Sequence, residues 1–171
     1  MGGGTKYDMV QQSTAKSAGE QLAPIELKRH AMTEMTPHDL QCAHCGNMQE
    51  TMIYSSLNVT LDPELKEKLY AAEVNVLECE ECEEKTWFST PLLYHDMTAQ
   101  IYVQFYDPDL LDDPEFLRRF NSDGSLDMKG IPVSLPTEGD YLRRPHIVFN
   151  MREMVLYVKF RDSIASAAYE E

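Results

Sequence analysis

The four cysteines of this chain fall into two Cys-x2-Cys pairs, Cys42-Ala43-His44-Cys45 and Cys79-Glu80-Glu81-Cys82, with 33 residues between them. That is the arithmetic of a four-thiolate metal site. Two residues between thiolates let one tight turn present both sulfurs to one ion, and two such turns complete a tetrahedron. The spacer is longer than a small metal ribbon needs. It leaves room for a strand, a helix and another strand between the two halves.

Other uses of the cysteines fit less well. No hydrophobic N-terminal stretch resembles a signal peptide. That predicts a cytoplasmic, reducing setting, in which thiols stay free or metal-bound. A redox dithiol draws its reactivity from nearby positive charge. The second pair sits instead among Glu78, Glu80, Glu81, Glu83 and Glu84, where negative charge disfavours a thiolate unless a metal holds it. Cys42, Cys45, Cys79 and Cys82 are therefore the predicted ligands. Zinc is the first choice of ion, because it accepts four thiolates in closed structural sites. A rubredoxin-like iron is the competitor, since tetrahedral sulfur suits both metals. Gly46 follows the first pair and allows the positive φ that such a turn uses. Glu83 holds the equivalent place in the second pair and would cost roughly 1–2 kcal/mol there. His44 is expected to point outward.

The chain has 171 residues, 43% of them hydrophobic, and a net charge of −14. That suits one domain with an arm, and no stretch approaches the length of a membrane span. The opening Met1-Gly2-Gly3-Gly4-Thr5-Lys6 puts Lys6 where a myristoylation signal needs a hydroxyl. Charge is uneven. Residues 41–105 hold three basic against eleven acidic side chains, whereas residues 141–171 hold five against four. Nucleic-acid modules present a basic face. Here the metal region is the most acidic part, which repels phosphate, makes a nucleic-acid partner unfavourable and points to a solvated acidic face or a docking surface for a basic protein partner.

Residues 1–36 read as an arm with few large hydrophobes, expected to be flexible or held by a partner through Ala23, Pro24, Ile25 and Leu27. Residues 37–171 read as the metal-binding domain. Met52 to Tyr54 and Leu57 to Val59 read as strand. Asp62-Pro63-Glu64 opens a helix of about ten residues, with Asp62 as the cap and Leu65, Leu69 and Ala72 inward. Strands follow from Val74 towards Cys79 and from Thr86 to Tyr94. Ile101, Val103 and Phe105 alternate with polar neighbours in a half-buried strand. Residues 107–140 are loop-like, with a helix capped by Asp113 that points Phe116, Leu117 and Phe120 inward; their aspartates suit turns better than a calcium loop. Ile147 to Phe149 reads as strand, and Asn150-x-x-Glu153 as a capping box. Met154 to Phe160 then gives a helix or a helix followed by strand, and Asp162 caps a last helix.

Taken in order, Cys42-x2-Cys45-Gly46, the run Leu57 to Lys66, Cys79-x2-Cys82, Leu93-Tyr94-His95-Asp96 and the segment Arg144 to Phe160 resemble the CpXC domain family over residues 38–160. Ala43 and Glu80 stand where the family's name has Pro. The resemblance implies a cytoplasmic prokaryotic protein with paired metal-binding cysteines, and it carries no activity with it. The predicted fold class is α+β: a small, mostly antiparallel sheet, a zinc-ribbon-like four-cysteine site and a few short helices. No nucleophile elbow, phosphate loop or His-Glu-x-x-His occurs. His95-Asp96 is the one acid–base pair to examine, although adjacent residues on a strand point to opposite faces. The leading expectation is a non-enzymatic, zinc-stabilised interaction module. A rubredoxin-like electron carrier and a nucleic-acid-associated ribbon are the alternatives.

Overall fold

In the computed structural model the described residues are 32–129 and 137–168. Five strands form the main sheet: β1 (Glu34–Gln41), β2 (Met48–Asn58), β5 (Leu92–Asp96), β6 (Ile101–Phe105) and β7 (His146–Val148), in that spatial order. β1/β2 and β5/β6 are antiparallel, whereas β2/β5 and β6/β7 are parallel. The sheet is therefore mixed. β3 (Val76–Glu78) and β4 (Lys85–Trp87) make a separate antiparallel hairpin. Helix α1 (Glu64–Tyr70) lies between β2 and β3, so the spacer between the cysteine pairs holds strand, helix and strand as its length suggested. The fold is α+β.

α1 and the last helix, α3 (Met151–Ala167), cover one face of the sheet. Leu57, Leu92, Tyr94, Ile101, Val103, Phe105 and Val148 pack there against Leu65, Leu69, Met154 and Val158. Tyr94 pairs with Val103 and Leu92 with Phe105, which puts all four on one face. α3 is one continuous helix. Asn150 Oδ1 accepts from the Glu153 amide at 2.9 Å, while Glu153 reaches back to the Phe149 amide at 2.9 Å. The cap is reciprocal as in a capping box, though Glu153 reaches the residue before the cap, and no strand follows among the described residues.

β6 is buried on both faces rather than one. Its second face carries Tyr102 and Gln104, and beside it His95 of β5 meets Tyr141 from the 3-10 turns at Thr137–Arg143. The expected strand from Thr86 to Tyr94 is divided between β4 and β5. Asp113 caps a single helical turn, α2 (Pro114–Leu117), which buries Phe116 but leaves Leu117 exposed.

Asp62 does not cap α1. Its carboxylate accepts from Thr33 Oγ1 at 2.5 Å, and the helix starts from Pro63 without a side-chain cap. Ala72 is exposed and ends the helix at φ 58°. Sheet contacts begin before residue 37. Ser56 Oγ donates to the Met32 carbonyl at 3.0 Å, the Asn58 amide donates to Thr33 Oγ1 at 3.0 Å, and β1 starts at Glu34. An edge strand exposed on both faces has no apolar alternation, which is why composition alone placed residues 32–36 in the arm. The rest of the arm, with Ala23 to Leu27, lies outside the described residues.

Candidate metal centre

Each cysteine pair occupies the tip of a hairpin. Gln41 pairs with Met48 below the first tip and Glu78 with Lys85 below the second, so each loop spans six residues. The backbone bonds match. The Cys42 amide donates to Asn47 at 2.8 Å and the Gly46 amide to Cys42 at 3.0 Å; the Cys79 amide donates to Glu84 at 3.0 Å and the Glu83 amide to Cys79 at 2.8 Å. Gly46 has φ 78° and Glu83 has φ 59°. Glu83 therefore adopts the same left-handed turn as Gly46, at the cost of placing a Cβ there.

The two tips face each other through a local two-fold arrangement. The residue after the first cysteine of each pair donates its amide to a side chain on the other hairpin. Ala43 donates to Thr86 Oγ1 at 3.2 Å, and Glu80 donates to Gln49 Oε1 at 3.0 Å. Gln49 and Thr86 each lie seven residues beyond the first cysteine of their own pair. Gln49 Nε2 also donates to the Glu78 carbonyl at 2.9 Å. Beneath the tips, Leu40, Ile53 and Leu77 pack with Cys42 and Cys79 in a second small core.

This arrangement brings the four sulfurs together. Cys42 and Cys82 Sγ are 3.7 Å apart, Cys45 and Cys79 Sγ are 3.5 Å apart, and all four lie within 4.8 Å of one another. Zinc–sulfur bonds of 2.3 Å in a tetrahedron put sulfurs about 3.8 Å apart. The donor set fits one tetrahedral ion. Cys42 and Cys79 are buried, Cys82 is half-buried and Cys45 is exposed.

The thiols differ in acidity. Amides of Cys45 and His44 hold the Cys42 thiol down at about 6. Burial raises Cys79, but the amides of Cys82 and Glu81 outweigh it and the net shift is downward. At Cys45 the Asn47 amide lowers the thiol, yet the Cys79 sulfur and burial leave it raised. At Cys82 the Glu84 amide lowers it, yet burial and the three neighbouring sulfurs push it up to about 12. Four sulfurs in contact cannot all ionise easily by themselves; a divalent cation among them removes the mutual repulsion. The amide of His44 donates to Cys42 Sγ at 3.4 Å.

His95 and Asp96 part company. His95 Nε2 lies 2.7 Å from Tyr141 Oη on one face of the sheet. Asp96 accepts from Lys66 Nζ at 3.1 Å on the other, and Lys66 also meets Asp162 at 3.2 Å. Tyr70 Oη donates to Asp162 at 2.6 Å. Asp162 thus ties α3 to α1 and caps nothing. The pair does not form an acid–base couple. The sequence reading passed over Gln49, Thr86 and Asn75. Equal seven-residue offsets from Cys42 and Cys79 are a signal for the first two.

Among the described residues no helix is long and apolar enough to cross a membrane. Comparison with curated proteins and with solved structures gives no match. A family model described as CpXC protein matches residues 40–165, a span that takes in both cysteine tips, six of the seven strands in full and nearly all of α3. The chain belongs to the CpXC family.

Proposed function

We propose that the chain is a non-catalytic interaction module whose fold is held by one structural zinc ion bound to Cys42, Cys45, Cys79 and Cys82. The observation behind this reading is the four-sulfur cluster itself, where two hairpin tips meet and four protein donors lie within 4.8 Å of one another, a spacing that a tetrahedral zinc site supports. A bound zinc would supply a closed cross-link without redox chemistry. The first hairpin continues into the main sheet through β2, so the cross-link would fasten the β3–β4 hairpin to the domain. Contacts with a protein partner would come from the acidic stretch of residues 41–105 and from the arm, whose Ala23, Pro24, Ile25 and Leu27 offer apolar groups to a groove. Elemental analysis, a visible spectrum and thiol titration of the native protein test the reading. One zinc per chain, with four thiols unreactive until a chelator is added, is expected. Four freely titratable thiols and no metal would sink it.

A rubredoxin-like iron site is the second reading. Matching positive-φ residues after both pairs, Gly46 and Glu83, favour it. Iron–thiolate absorption in the visible range with reversible reduction would establish it in place of zinc.

A further inference from the structure

Helix α3 is used on one face only. It buries Met154 and Val158, with Met151, Val155 and Tyr157 partly buried beside them. On the far side Leu156, Phe160 and Ile164 are 56%, 59% and 51% exposed. A spacing of four residues keeps them in one ridge about 12 Å long, at 1.5 Å of rise per residue. Every residue from Ser163 to Ala168 is exposed, so the end of the helix runs past the core. Singly scattered exposed hydrophobes need no explanation, whereas a row of three on a helix is the form in which helices dock.

The charge beside that ridge is unusual for this chain. Arg152 and Lys159 are seven residues apart, lie on one flank of the ridge and are exposed. Neither makes an ion pair with a described residue; Lys159 Nζ sits 4.9 Å from the centre of the Tyr70 ring. Residues 141–171 hold five basic and four acidic side chains, while the other 140 residues hold ten and twenty-five. Two cations with no ion-pair partner among the described residues, one of them over the Tyr70 ring, therefore flank the apolar ridge of a strongly acidic protein.

We propose that the outer face of α3, the ridge Leu156–Phe160–Ile164 with Arg152 and Lys159 beside it, is a docking surface for an acidic amphipathic helix of a partner protein. The partner's apolar residues would lie along the ridge, and its carboxylates would meet the two cations. The proposal rests on the reading of the chain as an interaction module. A second copy of the chain suits this face less well. An antiparallel copy centred on Phe160 brings the two Lys159 side chains to the same flank, and each chain carries −14.

The test uses the full chain loaded with zinc. Metal content and thiol protection are measured first, so failure of the zinc reading shows before any ligand is added. The probe is a labelled synthetic helix of about five turns with Leu at a three-four repeat and Glu elsewhere. Its isomer carries Lys in place of Glu. The Glu peptide is expected to bind at least about tenfold more tightly than the Lys peptide, with the advantage shrinking as salt rises. Phe160→Asp, and Arg152→Glu with Lys159→Glu, should each weaken binding about fivefold or more at unchanged metal content. No binding up to millimolar peptide, equal binding of the two isomers, or full affinity in Phe160→Asp overturns the proposal. So does a dimer of the chain that Phe160→Asp dissolves, or capture by phosphatidylserine vesicles that the same change abolishes.

Discussion

Asn75 and Tyr54 are joined as two residues of a β-ladder are, although one contributes only its side chain. Asn75 Oδ1 accepts from the Tyr54 amide at 2.7 Å, and Asn75 Nδ2 donates to the Tyr54 carbonyl at 3.0 Å. β5 pairs with β2 only from Ser56 onward. The Asn75 amide extends that edge and anchors the start of the β3–β4 hairpin to the main sheet. Asn75 is 2% exposed, sits at φ 56°, and also bonds Thr90 Oγ1 at 3.0 Å.

Asn75→Ala is expected to cost about 2–4 kcal/mol. Three hydrogen bonds vanish, and the partly buried backbone groups of Tyr54 lose the partner that no other strand supplies. Urea unfolding of the metal-loaded protein measures this. A loss below about 1 kcal/mol would mean that water replaces the side chain at little cost.

The two cysteine tips make a matched pair of substitutions informative. Glu83→Gly is expected to stabilise by about 1 kcal/mol, because it removes a Cβ from a left-handed turn. Gly46→Ala is expected to destabilise by about the same amount. A Cβ at Gly46 would meet only Gln41 Nε2, at 3.6 Å, an ordinary contact, so its cost is conformational. Thermal unfolding of both variants should move in opposite directions. Equal behaviour would contradict the two-fold match of the tips.

Loss of a thiolate should depend on where it sits. Structural zinc contributes on the order of 10–16 kcal/mol to folding in small domains. Cys79→Ser removes a donor from the small core beneath the tips and is expected to leave insoluble or loosened protein. Cys45→Ser lies at the exposed side and is expected to keep a weakly bound ion that a chelator strips faster than from wild type. Acid should release metal from both, since thiols must be deprotonated to bind. Competition with a metal-sensitive dye, followed against pH, reads each step.

Lys66 supplies a stability that depends on pH. Burial lowers its pKa, but hydrogen bonds and attraction to Asp96 and Asp162 outweigh that and raise it above the ordinary lysine value. A base whose pKa is higher in the folded state holds its proton more tightly there. Its contribution is complete below the unfolded value and fades as pH rises through the folded one. Lys66→Met should therefore be less stable than wild type near neutral pH, with the gap closing as alkaline pH rises through the raised folded-state value. A gap that widens with pH would contradict the assignment.

The four-cysteine cluster was legible because its chemistry is local. Two residues between sulfurs define a turn, and four such sulfurs define a tetrahedron. The spacer's length allowed strand, helix and strand, and β2, α1 and β3 fill it. Long-range contacts were not legible. β6 looked half-buried from its alternation, yet its polar face is covered, and Tyr102 and Gln104 are buried along with its apolar residues. Asp62 has every local mark of a cap, yet Thr33, far away in sequence, takes its carboxylate. Asn75 reads locally as a loop residue; only the fold shows it standing in for a strand. A capping residue with a tertiary partner does not announce it in its own neighbourhood.

The start of the domain follows from those same contacts. Thr33 Oγ1 accepts from the buried Asn58 amide at 3.0 Å and donates to Asp62 at 2.5 Å. A chain trimmed to begin at Met32 keeps both bonds, and it is expected to fold and hold its metal. A chain trimmed to begin at Pro37 loses them along with the first pairs of β1. The Asn58 amide, on a fully buried residue, loses that bond to Thr33, and the cost should be about 1–3 kcal/mol. Denaturant midpoints and metal content of the two trimmed chains decide the matter. Equal stability would show that water satisfies Asn58. Unfolding of the chain that begins at Met32 would show that the preceding residues belong to the fold rather than to an arm.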